Sequence, residues 1–118
     1  MAFSWFKKKQ DAPQGPDFSA IDSAEKAQAA YHRGELAMLY LFPLDLGGQE
    51  NEMNRVYVPQ AVVMLKDRFD NLVGDLLDQG LVTGYSANPE YKGNSFIPSA
   101  IVMEAKGKGG ITERIEIW

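Results

Sequence analysis

Residues 59–80 read PQAVVMLKDRFDNLVGDLLDQG. Val62, Leu65, Phe69, Leu72, Val73 and Leu76 recur at steps of three and four, which lays one apolar stripe along a helix. Lys66, Asp67, Arg68, Asp70, Asp75 and Asp78 fall between them and predict a solvated, charged remainder. Pro59 suits the first turn, where an N–H would have no partner anyway. Gly80 suits the stop. Gly74, inside the run, costs about 1 kcal/mol relative to Ala and predicts a close approach to a sheet. A single strong helix with strand patterns on either side of it sets the fold class.

Upstream, Arg55–Val58 reads as a short strand ended by Pro59. Residues 43–54 form a long polar connection. Glu35–Phe42 (ELAMLYLF) is apolar on both faces after Glu35, which predicts a central strand covered on both sides. Ser23–Arg33 reads as a helix, with Asp22 and Glu25 as a capping pair and Gly34 as its stop. Downstream, Leu81–Ala87 predicts a strand leading into an Asn88-Pro89 turn. Ser95–Ala105 predicts a longer strand, in which Pro98 marks an edge or a bulge. Lys106–Gly110 is a hairpin turn. Thr112–Trp118 alternates, with Ile115 and Ile117 on one face. The order is α-β-β-α-β-β-β. It predicts an α+β fold: an antiparallel or mixed sheet of about five strands with two helices packed on one face.

The chain has 118 residues, 45% hydrophobic and 24% charged, the size and composition of one globular domain. Residues 1–17 read as a flexible N-terminal tail, because two prolines and a glycine follow a lysine triplet. Residues 18–118 read as a single domain. There is no cysteine and one histidine, so thiolate zinc sites, disulfides and cysteine nucleophiles are excluded. Lack of cysteine fits a reducing compartment. The opening residues do not pattern as a secretory signal. No window reaches the roughly 18 apolar residues of a spanning helix. A cytoplasmic location is the expectation.

The formal charge is −4 and is unevenly spread. Residues 1–16 carry three lysines against one aspartate. Residues 17–118 carry nine Lys/Arg against fifteen Asp/Glu. An acidic body repels phosphate backbones and attracts basic surfaces, which predicts a protein partner and no nucleic acid. In the tail, Phe3, Trp5 and Phe6 precede Lys7, Lys8 and Lys9. Rings at an interface and lysines on anionic headgroups predict a weak membrane-surface contact, with about 3 kcal/mol from three lysines.

No catalytic residue, metal site or cofactor is indicated. His32, at the end of the first helix, has no nucleophile at a recognisable spacing, and a helix C-terminus favours its cation. Asp67 with Asp70, and Asp75 with Asp78, pair on one helical face and read as solvated charge. The glycines at 47–48 and 107–110 lack the strand–glycine–helix order of a nucleotide loop.

Two surfaces carry the binding expectation. The first is the 43–54 loop with Asp45, Glu50, Glu52 and Asn54, and Arg55 just after it; a loop this long is often functional. The second is Tyr85, Asn88, Tyr91, Lys92, Asn94 and Phe96, where rigid rings stand beside adaptable amides as in protein-binding loops. The leading expectation is a non-enzymatic protein-binding module, of the adaptor or immunity type, that binds a basic partner. The alternative is a small-molecule binder or minor enzyme with a pocket between sheet and helices, beside His32, Tyr31 or Arg55. A third is self-association through Thr112–Trp118 as an exposed strand edge.

Overall fold

The computed structural model describes residues 15–118. The tail expected over 1–17 lies, except for its last three residues, outside the described chain. Two helices and five strands follow in the expected order: α1 Ala24–His32, β1 Ala37–Tyr40, β2 Arg55–Val58, α2 Gln60–Asp78, β3 Gly84–Glu90, β4 Ala100–Lys106 and β5 Ile111–Glu116. The fold is α+β, and every strand pair is antiparallel.

The strands divide between two sheets. β1 and β2 form a two-stranded pair, with Ala37 opposite Val58 and Tyr40 opposite Arg55. β3, β4 and β5 form a three-stranded sheet with β4 in the centre. The apolar faces of ELAMLYLF are covered above and below, yet β1 has a strand on one side only. Period two explains the difference. Leu39, Val56 and Val58 share a buried core with Val62, Phe69 and Val73 of α2. Met38 and Tyr57 point the other way, and Tyr57 packs with Ala27 and Ala30 of α1. The two helices therefore lie across opposite faces of this hairpin. Apolar side chains on both faces of a strand report layers above and below it, not lateral neighbours.

α1 starts at Ser23, whose Oγ accepts from the Lys26 N–H at 3.1 Å. That is the cap, worth about 1 kcal/mol. Asp22 instead pairs with the Lys26 ammonium at 2.7 Å. α2 reaches both sheets: its core residues meet Ile101, Met103 and Ala105 of β4 and Ile115 of β5 as well as the hairpin.

The buried line of α2 is Val62, Lys66, Phe69 and Val73, which is rotated from the stripe read off the sequence. Leu65 and Leu72 are 38% and 46% exposed. Lys66, expected in solvent, is 1% exposed. Nothing approaches within 4 Å of where a Gly74 Cβ would stand, so that glycine marks no close contact.

Two strand boundaries also move. Leu81 donates its N–H to the Leu76 carbonyl at 2.9 Å and still closes α2, so β3 begins later, at Gly84. Asn88 and Pro89, expected in a turn, lie inside β3 opposite Val102 and Ile101. An edge strand tolerates a proline because one side of its ladder is unpaired. Pro98 precedes β4 and is buried in an irregular, bent segment, 95–99. The expected strand Thr112–Trp118 forms over Ile111–Glu116 and is a sheet edge.

Candidate functional site

Ala24, Ala27, Gln28 and Tyr31 fall at steps of three and four on α1. The alanines are short, and the helix facing β2 leaves a groove open beside them. Arg55 and Tyr57 of β2 form its opposite wall. Tyr91 and Phe96 close one end, with Glu52 above Arg55; the depression there has a volume of about 210 Å³. The groove continues past Gln28, Arg55 and Tyr57 to His32, Met38, Tyr40 and Glu50. The polar loop and the aromatic-amide segment, far apart in sequence, thus line one surface.

Each end is held in place. The Tyr40 hydroxyl donates to Glu50 at 2.9 Å; bonding to a carboxylate pushes the phenol pKa above its ordinary value. Tyr31 stands 5.4 Å from Tyr57 and 5.4 Å from His32, ring centre to ring centre. At the other end, the Phe96 N–H donates to the Ile21 carbonyl at 2.7 Å. Ser95 donates its hydroxyl to the Phe18 carbonyl at 2.8 Å. The Trp118 indole donates to the Ile97 carbonyl at 3.0 Å and stacks edge-on with Phe18. This frame presents Tyr91 and Phe96, each 48% exposed, on fixed backbone. Met53, next to Glu52 in the chain, is 89% exposed.

Of the residues singled out by sequence, Glu50, Glu52, Arg55 and Tyr91 converge on the groove, and Phe96 joins them. The others go elsewhere. Asp45 lines a separate cleft with Asp67, Asp70, Asp75 and Asp78. Asn54 is a backbone staple: its Oδ1 accepts from the Phe42 N–H at 2.8 Å, and its Nδ2 donates to the Phe42 and Gln49 carbonyls. Tyr85 turns inward from β3 and donates to Asp70 at 2.6 Å. Asn88 is exposed on the same edge strand. Asn94 is exposed in the turn after Tyr91.

His32 is exposed, and the nearby Glu35 is taken by Arg33 at 2.8 Å. A general base needs an orienting partner, and among the described residues no hydrogen bond gives His32 one. The acidic cleft holds no grouping of three His, Cys, Asp or Glu placed for a metal ion among the described residues. Sequence reasoning missed Tyr57 and Gln28. The signal for Tyr57 was its alternation with Val56 and Val58.

No protein-family model matches the chain, and no curated protein or solved structure matches it significantly.

Proposed function

We propose that this chain is a non-enzymatic protein-binding module whose contact surface is the groove between α1 and β2. The observation that carries the reading is the meeting of Glu50 and Glu52 with exposed Tyr91 and Phe96 along one depression. Aromatic, methionine and arginine side chains dominate the energetics of protein contacts. Two carboxylates against one guanidinium, on a body rich in Asp and Glu, favour a basic segment of the partner. The two stretches of the groove, of about 210 and 420 Å³, are open to solvent along the surface and do not form an enclosed cavity, which favours side chains of a partner over a buried soluble ligand. Among the described residues no helix is long and apolar enough to cross a membrane. With the lack of cysteine, a cytoplasmic setting is the proposed one.

The test is affinity capture from native lysate by the full chain and by its Glu50→Lys/Glu52→Lys variant, at low and high salt. The expected result is one stoichiometric partner, bound through a basic surface. Charge reversal and salt both release it. Capture that ignores both would overturn the assignment.

A further inference from the structure

We propose that the groove has an occupant within the chain itself: the aromatic-basic segment Phe3–Lys9, bound in cis as a competitor of the partner. This rests on the groove being a protein-contact surface.

Three observations lead there. The first is where the chain enters. Residues 18–21 are bonded to the groove's own end, Phe18 through Ser95 and Ile21 through Phe96. Gly15 stands three residues before Phe18. Six residues separate Gly15 from Lys9, and twelve separate it from Phe3. At about 3.3 Å per extended residue these spans reach about 20 and 40 Å, enough to run back along α1.

The second is charge. Lys7, Lys8 and Lys9 give residues 1–16 a net charge of +2, while residues 17–118 carry a balance of −6. Glu52 and Glu50 lie at successive points along the groove, with Arg55 lining both stretches.

The third is apolar chemistry. Phe3, Trp5 and Phe6 precede the lysines, and the groove offers Tyr31, Tyr57, Tyr91 and Phe96. Stacked or edge-to-face pairs of such rings add about 1 kcal/mol each beyond burial. Tethering supplies the rest. A tether of this length holds its segment at an effective concentration in the millimolar range. An intrinsic Kd of about 1 mM then fills about half of the grooves and weakens partner binding about twofold.

The experiment uses the full chain, whose lack of cysteine allows a nitroxide at a single site through Ala2→Cys. Amide signals of Gln28, Arg55 and Tyr91 are expected to broaden selectively, with the Lys106–Gly110 turn left sharp. The broadening should survive dilution and vanish when Lys7→Glu, Lys8→Glu and Lys9→Glu are combined. Broadening that disappears on dilution would assign the groove to a second copy and overturn the contact in cis. Uniform or absent broadening would overturn it as well, and lysine-dependent sedimentation of that chain with phosphatidylserine vesicles would give the segment to a membrane surface.

A second measurement separates this failure from failure of the groove. A synthetic peptide of residues 1–14 is titrated into the triple-glutamate chain. Shifts at Arg55, Tyr91 and Phe96 would show that the groove accepts a basic-aromatic chain whatever the tether does. No shift at millimolar peptide would remove the contact in cis, and the partner surface would then stand or fall on the capture by the Glu50→Lys/Glu52→Lys variant.

Discussion

The ammonium of Lys66 donates to the Asp70 carboxylate at 2.6 Å from a side chain that is 1% exposed. Asp70 accepts a second bond of 2.6 Å from Tyr85, and the Lys66 ammonium lies 5.4 Å from the centre of the Tyr85 ring. A buried pair of this kind is worth little against an apolar substitute, but breaking it strands a charge. Lys66→Met should cost less than loss of the acid in chemical denaturation, because Asp70 keeps its Tyr85 bond and some solvent contact, its side chain being 15% exposed. Asp70→Ala should cost about 3–5 kcal/mol. Equal losses in the two variants would mean that the cation itself stabilises the fold.

The same pair fixes an alkaline pH dependence. Burial lowers the Lys66 pKa, outweighing its bond to Asp70. Between the depressed folded value and the unfolded value of about 10.4, the unfolded chain holds more protons, so stability rises with pH through that window. Tyr85 has the opposite sign. Burial and its bond to Asp70 raise its pKa, so its contribution falls as pH climbs past about 10. Lys66→Met should remove the rise and Tyr85→Phe the fall, read as unfolding free energy against pH.

Two glycines should respond oppositely to alanine. A Cβ on Gly48 would overlap the Phe42 carbonyl and stand 2.9 Å from the Pro43 oxygen. Gly48→Ala should destabilise by about 2 kcal/mol or more, since backbone must move. Gly74→Ala meets nothing within 4 Å and should stabilise α2 by up to about 1 kcal/mol. Thermal melts of the two variants check both signs.

Asn54→Ala removes three bonds that tie the loop's far end to Phe42 and Gln49. At about 1 kcal/mol each, the loss should loosen residues 43–54 ahead of global unfolding. Hydrogen exchange of the Phe42 amide should accelerate while core amides of β4 keep their protection.

Tyr91→Ala and Phe96→Ala act on half-exposed rings. Each should weaken the captured partner by about 1–2 kcal/mol, on the order of tenfold, because aromatic anchors carry contact energy. Melting temperatures should change little. Loss of folding in either variant would place the rings in the core instead.

Helices, strands and their order were legible because they follow local periodicity and punctuation: Pro59, Gly80, Gly34, and the alternation of Ile115 with Ile117. The face of α2 was not. Leu65 and Leu72 made an apolar stripe by composition, but the buried line runs through Val62, Lys66, Phe69 and Val73, one residue's rotation away. Lys66 lies at helical spacing within that line. Its charge hid it, since only the proximity of Asp70 and Tyr85 makes a cation tolerable there. The site was half legible. Glu50, Glu52, Arg55 and Tyr91 were named for their chemistry; nothing local distinguished them from Asp45, Asn54, Tyr85 and Asn88.

The sequence by itself determined the seven-element α+β order, the lack of thiol chemistry, and the split between a basic beginning and an acidic remainder. These are properties of composition and of patterns shorter than twenty residues. Only the tertiary structure decided that the strands part into two sheets and that α1 lies on the Tyr57 face of the hairpin. It also decided that the 50–55 and 91–96 segments meet. Those outcomes depend on contacts across long separations, such as Phe96 with Ile21, where no local spacing signals the partner and side-chain shape chooses it.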